Sequence, residues 1–521
     1  MPPGSLTTTP RLLRSGAGRW VVVGAAGVVL RIVLIVLAPH AGFVGDHVAN
    51  MMWGGWAADR GLLEVYRLDI REMPPVPAMV PDENGKAARL DVHPTWIGKV
   101  NHPPLAVLLY TTQSLVLRAI DDEPVLNTLS SRVVCGASQA LFDLALSLII
   151  GALAASIHGS GAFFRGFTAA WLFVPLALNS VFWGQIDTVF LTFACGAVAL
   201  MLSQRWRSAG AVLAISLLVK PQAVLLAPVV LVAVFAAPGA SPIAVALRRI
   251  RDMGGAMLLV LAIGSAPWLA ADGLAWAERC YVDNILHAYP STSLKAFNVW
   301  YLDVLRLDGT PSLILDSNAI LAGLSKDTWG RVALVTALVL ALVLAWRRRP
   351  VTRTAVVVFA ALWLWSTFMW PTRVHERYII YCVPFVIVLA VARRAWLAPC
   401  LALFVVASAE HTWNVWARDL PAGSLVTRNM IQDRLQSKVE AHAALPDEHR
   451  AMVPAPRFDD AAAEIRAEAE ERRDEYLAAR KPVFRIELAL TLLSILGYSL
   501  AARAGWTCGA PLASNVPESR D

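Results

Sequence analysis

Charge is what this chain is short of. Only 16% of its 521 residues are Asp, Glu, Lys or Arg, where a soluble domain carries about a quarter, and this excludes an ordinary soluble globular protein. No Walker loop, no GxGxxG ahead of a helix and no HExxH occurs, so the familiar glycine-rich phosphate cradles and the zincin helix are excluded. The six cysteines, Cys135, Cys195, Cys280, Cys382, Cys400 and Cys508, form no CxxC pair. They lie mostly in or beside apolar runs and read as small buried hydrophobes rather than a disulfide set or a zinc site. The formal charge of +7 does not indicate nucleic acid, because the arginines cluster in short loops between apolar runs, as the positive-inside bias requires.

What the chain has instead is apolar length. Hydrophobic residues make up 57% of it, with 19 Trp and a mean hydropathy of +0.54. Apolar runs of about 17–22 residues recur, each able to cross a bilayer core. The expected fold is an all-α polytopic membrane protein of about 12 transmembrane helices with a large first extracytoplasmic loop.

Arg11, Arg14 and Arg19 place the N-terminus inside, so a first span at about 20–38 delivers Asp46 to the outer face. Although this stretch imitates a signal peptide, its apolar part is too long and Arg31 interrupts it; it reads as a retained span. In the loop that follows, Met51 to Trp56 has the look of an amphipathic interfacial helix with aromatic anchors. The 103–119 segment would break the phase of the arginine loops if it crossed fully, and is expected to be re-entrant or to lie in the interface. Spans are then expected near 133–154, 166–183, 188–203, 209–220, 222–236 and 253–271. A second set falls near 330–346, 351–370, 378–392, 395–409 and 484–502. This gives a transmembrane catalytic module over 1–409, with outer loops at 39–103 and 272–329. A polar extracytoplasmic segment follows at 410–483, where 459–480 reads as a solvated helix with i,i+4 charge pairs. Residues 484–521 form a last span and a cytoplasmic tail.

Polar residues that apolar helices do not need collect on the outer side. Asp46 follows the first span and is either a helix-end carboxylate or a catalytic base. Asn101-His102-Pro103-Pro104 opens a helix whose N-terminus, with His102 beside it, suits a phosphate. In Trp183-Gly184-Gln185-Ile186-Asp187, Gln185 and Asp187 either bind sugar hydroxyls or cap the next helix. Lys220, in Lys220-Pro221-Gln222, is costly in lipid and requires an anionic partner unless it snorkels. The outer loop carries Ala288-Tyr289-Pro290-Ser291 and Ala296-Phe297-Asn298-Val299-Trp300. Finally, Arg373, His375, Glu376 and Arg377 crowd against a span, and paired arginines suit bidentate phosphate binding.

Taken together, Gly45-Asp46, His102-Pro103-Pro104-Leu105, Trp183–Asp187, Lys220-Pro221-Gln222, Ala296–Trp300 and His375-Glu376-Arg377-Tyr378 resemble the GT-C superfamily of integral-membrane glycosyltransferases. Protein O-mannosyltransferases and bacterial mannosyltransferase-like members carry similar strings. The resemblance covers about residues 40 to 390 and does not extend past 410. It implies an inverting enzyme that takes a hexose, mannose first among the options, from a polyprenyl-phosphate carrier on the outer leaflet. The acceptor would be a glycan, glycolipid or protein hydroxyl. Asp46 would be the base; His102, Lys220, Arg373, His375 and Arg377 would hold the donor phosphate; Gln185, Asp187, Asn298, Trp300 and Glu376 would contact sugar or acceptor. Trp53, Trp56 and Trp300 could stack on sugar or prenyl faces, with interface anchoring an equal alternative. Many members pair two acids in the first loop, whereas here His47 and Val48 follow Asp46. No metal is therefore assigned, and dependence on a divalent ion stays open. The rival function is a transporter or flippase of a lipid-linked sugar, but no two repeated halves are visible.

Overall fold

A computed structural model of the protein describes residues 10–69, 73–81, 87–92, 99–236, 243–283, 293–305, 319–347, 351–416, 428–446, 456–471, 478, 481 and 483–507. Ala288–Ser291 and Cys508 lie outside these residues.

The apolar runs become helices. The chain is an all-α polytopic membrane protein, with small β-hairpins confined to its loops, including β1 (Val76–Pro81) against β2 (Ala87–Val92). Among the described residues, six helices are long and apolar enough to cross a membrane. They are Ala17–Ala41, Leu129–His158, Ile243–Asp272, Lys326–Ala345, Arg394–Trp413 and Phe484–Thr507. A seventh candidate is broken: Ala162–Trp171 and Val174–Phe182 are bent by 49°. Five further apolar helices are shorter: Pro104–Ile120, Asp187–Leu202, Trp206–Val219, Pro221–Val234 and Arg353–Met369.

Among the described residues, the first eight α-helices are α1 (Pro10–Ala41), α2 (Val44–Arg60), α3 (Pro104–Ile120), α4 (Leu129–His158), α5 (Ala162–Trp171), α6 (Val174–Ala177), α7 (Asp187–Leu202) and α8 (Trp206–Val219). Shortness has a location. α7 begins after the Trp183–Ile186 break, α8 ends at Lys220, and the Arg353–Met369 helix ends just before Arg373 and His375. Non-helical backbone at membrane depth is tolerated only where protein or a polar cavity surrounds it. The breaks therefore mark where the polar strings are gathered inside the bundle.

α2 corrects one sequence expectation. Rather than an interfacial helix at 51–56 anchored by tryptophan, the chain forms a 17-residue helix starting at Val44, with Trp53 and Trp56 buried. Gly54 explains the close fit, since a Cβ there would stand 2.2 Å from the Tyr110 carbonyl oxygen on α3. Ser114 also donates to the Met51 carbonyl at 2.9 Å. The 103–119 segment forms a helix, as expected, of 17 residues packed on α2, α4 and α8.

Two buried arginines fix the helix turns that lead to Asp46. Arg132 on α4 donates to Asn127 Oδ1 at 2.8 Å and to the carbonyls of Phe182 and Phe43, each at 3.1 Å. One guanidinium thus ties the α1–α2 turn to the break that follows α6. Arg31, the charge that interrupts the first apolar run, meets Asp143 of α4 at 2.9 Å and lies 3.5 Å over the Trp171 ring. Asp143 also accepts from Ser180 at 2.7 Å, in the π-helical turn Leu178–Phe182. This intramembrane pair is held by protein, with Arg31 also donating to the carbonyls of Gly27 and Trp171, each at 3.0 Å, and not by snorkelling.

Past 409, the expected boundary falls inside a helix that runs from Leu397 to Trp416. Among the described residues of the polar segment, the helix expected at 459–480 is present as Phe458–Glu471, and a second helix, Arg428–Ala443, pairs with it. They pair through Arg434 with Glu464 at 2.8 Å and Glu468 at 2.7 Å, and through Lys438 with Glu464. Leu435 packs on Ala461, Ala462 and Ile465 beneath these pairs. Exposed pairs contribute little individually, so the small apolar contact sets the register.

Asp143→Ala strands the Arg31 guanidinium in an apolar surround. The expected loss is about 3–5 kcal/mol, the range for breaking a buried pair, read as a lowered midpoint of thermal unfolding in detergent. Replacing both partners, Arg31→Met with Asp143→Leu, should recover most of it; equal losses in both variants would contradict the pairing account.

Candidate active site

The site is assembled from chain breaks. Phe43 leads α2 with an extended backbone and no side-chain cap, which leaves Asp46 in the first turn, where a carboxylate complements the exposed N–H groups. The π-turn Leu178–Phe182 and Gly184, at φ +77°, turn the chain so that Gln185 and Asp187 face inward. A Cβ at Gly184 would meet His47 and Cys135 at 3.4 Å. Lys220 leaves α8 in extended conformation ahead of Pro221. Arg373, at φ +63°, reverses the chain into His375 and the 3₁₀ turn Glu376–Cys382.

These segments converge on one ionic cluster. Gln185 Nε2 donates to Asp46 Oδ2 at 2.5 Å, and Arg377 Nη1 stands 3.3 Å from the same oxygen. Arg377 also lies 3.6 Å from Glu376 Oε1 and, through Nε, 3.9 Å from Asp187 Oδ2. Asp187 is fully buried and is the hub. Lys220 Nζ and Tyr381 Oη both donate to its Oδ1, the tyrosine at 3.0 Å, and Asn179 Nδ2 donates to Oδ2 at 3.3 Å. Tyr378 stacks on Tyr381 with centroids 5.0 Å apart and accepts from Gln222 at 2.9 Å. The Lys220 ammonium lies near the faces of both rings and of Phe190.

Asp46, Gln185, Asp187, Lys220, Glu376 and Arg377 are thus brought together. Lys220 is not snorkelling but held by Asp187. Asp187 is an electrostatic anchor whose oxygens are engaged by protein, in contrast to the expected contact to sugar or acceptor. Gln185 orients the Asp46 carboxylate. Asn298 is also turned to the protein: its amide donates to the carbonyls of Phe368 at 3.1 Å and Pro371 at 3.4 Å. Trp300 donates to the Trp370 carbonyl at 2.6 Å. Both brace the 293–300 loop against the end of the Arg353–Met369 helix, and Leu294 joins it to Val374 at 3.0 Å. Trp53 meets His102 edge-on at 5.1 Å between centroids.

His102 has been placed among phosphate-holding cations, but its surroundings keep it neutral. Burial pushes its pKa down to about 3, helped by Lys220 and Arg377 and opposed by Asp187. It shares a hydrogen bond with Tyr110 Oη at 2.8 Å, and Tyr66 donates to its carbonyl at 2.7 Å. Burial likewise lowers His375, with Arg377 acting in the same direction. Glu376 behaves oppositely: burial disfavours its charge, yet His375 and then Arg377 hold its pKa down at about 2. Cationic character at neutral pH therefore resides in Lys220 and Arg377, with Arg373 on the neighbouring turn, rather than in the histidines.

Several members of the cluster are missing from the sequence reading. Asn179 was a single polar residue in an apolar run. Tyr381 and Tyr110 sit within runs where aromatics are ordinary. Glu410 and His411 fell beyond the expected boundary, yet Glu410 accepts from Phe297 N at 2.7 Å, and His411 Nε2 lies 3.2 Å from Asn179 Nδ2. Polar residues on the inward face of the Leu397–Trp416 helix were the available signal. Among the described residues, no group of three or more His, Cys, Asp or Glu side chains is arranged to hold a metal.

No protein-family model matches the chain, and no curated protein matches it. Two solved structures of ArnT from Cupriavidus metallidurans are similar over 94% and 95% of this chain and 78% of that one. One is bound to undecaprenyl phosphate and the other is in the apo state; identities are 13% and 14%, and both TM-scores are 0.42.

The lowered pKa values set a pH dependence. His102 is neutral in the fold down to about 3, whereas in the unfolded chain it takes a proton below about 6.5, so its neutrality weakens the fold progressively as pH falls through that window. Glu376, ionised in the fold down to about 2, contributes stability above about 4.3 that is lost below it. The midpoint of thermal unfolding should therefore fall between pH 6.5 and 4.5 in the native protein and fall less in His102→Asn. Identical slopes in that window would contradict the assignment of His102.

Proposed function

We propose that this protein is an inverting glycosyltransferase of the GT-C kind. It would move a hexose, mannose by resemblance, from a polyprenyl-phosphate carrier to an acceptor hydroxyl on the extracytoplasmic face. The observation that supports it most is the convergence on one spot of a carboxylate, Asp46, and two cations, Lys220 and Arg377. They come from three chain breaks distant in sequence. Burying ionised groups in an apolar bundle is costly, and a transfer reaction uses both kinds.

The reaction needs three things. Asp46, oriented by Gln185, accepts the proton of the acceptor hydroxyl as its oxygen attacks the anomeric carbon. The new C–O bond forms opposite the breaking C–O bond to phosphate, so the anomeric configuration inverts, and the electron pair leaves with the phosphate oxygen. Arg377 and Lys220 stabilise the charge gathering there, with Arg377 offering the planar fork suited to phosphate oxygens. A neutral His102 can donate one hydrogen bond but supplies no charge. The prenyl chain would lie between helices, in the bilayer. For the acceptor, a cavity of ≈ 950 Å³ runs along another face of α2, lined by Met51, Met52, Trp56, Arg89 and Arg118 among others.

A transporter of lipid-linked sugars is the competing reading. It is less well supported because the cluster gathers at helix ends beside a base with its own orienting amide, a refinement that passage alone does not require.

Asp46→Asn should retain the fold and lose transfer from synthetic polyprenyl-phosphate hexoses by about 10²–10⁴-fold, the contribution of a positioned base, in assays of purified protein with an acceptor panel. No transfer by native protein with any donor, or equal transfer by the variant, would sink the proposal.

A further inference from the structure

The ionic cluster carries the wrong sign for its proposed ligand. Three carboxylates, Asp46, Asp187 and Glu376, are joined by contacts of 3.9 Å or less to two cations, Lys220 and Arg377. Within these five side chains one negative charge is left over, since His375 and His102 are held neutral. An incoming phosphate is repelled by such a group unless a cation is released from its present partner. Burial says which one can be released. The Lys220–Asp187 pair has side chains only 6% and 0% exposed, and Asp187 is further fixed by Tyr381 and Asn179. The Arg377–Asp46 pair is 15% and 25% exposed, long at 3.3 Å, and made by a single guanidinium nitrogen. Arg377 Nε has no hydrogen-bond partner.

We infer that Asp46 and the donor's phosphate compete for Arg377, so that donor binding itself sets the base free. This rests on the lipid-phosphate reading above and deepens it. In the resting protein Asp46 occupies the arginine and holds it in place, while Gln185 waits on the same carboxylate oxygen. When phosphate takes the arginine, Asp46 keeps Gln185 but loses its cation. The lone pair that faced the guanidinium is then open to the acceptor hydroxyl, so proton acceptance is enabled only when a leaving group is in place.

The consequence is a gain of affinity on removing a catalytic charge. If the arginine is free in only about a tenth of resting molecules, removing its competitor tightens phosphate binding about tenfold. The test is binding of farnesyl phosphate, a short polyprenyl phosphate, to the purified full-length protein and to Asp46→Asn, Asp46→Glu and Arg377→Gln by calorimetry. Tighter binding by Asp46→Asn, near-native binding by Asp46→Glu and loss in Arg377→Gln are expected. Equal or weaker binding by Asp46→Asn, or equal tightening in Asp46→Glu, would overturn the competition while leaving the lipid-phosphate reading intact. No binding by native protein or by Asp46→Asn would overturn both.

Discussion

The buried carboxylate of Asp187 is the constraint on which the site depends. It is fully buried at the first residue of α7, and four groups from three parts of the chain are aimed at it: Lys220, Tyr381, Asn179 and Arg377. A buried charge persists only where partners satisfy it. Once the chain places Asp187 there, the end of α8, the 3₁₀ turn at 376–382 and the π-turn at 178–182 must come to it. Arg377, drawn in by Asp187 and Glu376, then reaches Asp46 on α2. The base is thus positioned indirectly, by a network whose centre is another residue.

This arrangement explains why the helices around the site are short. A continuous helix satisfies its own backbone and leaves nothing to spare for a side chain. The breaks at 183–186, at 220 and at 370–375 create extended or positive-φ residues that turn polar side chains inward. Arg132 and the Arg31–Asp143 pair secure the same turns from the far side, by binding the carbonyls of Phe43 and Phe182 and the hydroxyl of Ser180. Structural and reactive charges therefore share one scaffold.

Much of this was legible in the sequence, for identifiable reasons. Apolar periodicity and arginine-bearing loops gave the helices at 129–158, 353–369 and 484–507 to within five residues at each end, because bilayer thickness sets their length, whereas the helix expected at 253–271 starts ten residues earlier, in the arginine-bearing stretch at 243–252. Lys220 stood out because a lysine in an apolar hairpin requires a partner, and that partner is Asp187, two residues from Gln185. Less legible was the division of labour. Asn298 and Trp300 carry polar groups that side-chain chemistry alone would assign to a sugar, but local backbone carbonyls take them. Trp53 and Trp56 look like anchors until Gly54 lets α2 press against α3. The neutrality of His102 depends on burial and on Lys220 and Arg377, both more than a hundred residues away, which no local pattern reveals. Glu410 and His411 were hidden by a change in composition that begins before their helix ends.

The central claim is that Arg377 and Lys220 receive the donor's phosphate beside Asp46. It is tested most directly by an electron cryo-microscopy structure of the protein with a non-hydrolysable polyprenyl-phosphate hexose analogue. The account predicts phosphate density against the Arg377 guanidinium and near Lys220, with the Asp46 carboxylate turned away from the arginine and still bonded to Gln185. Phosphate density elsewhere in the bundle, with the Asp46–Arg377 pair intact, would contradict it.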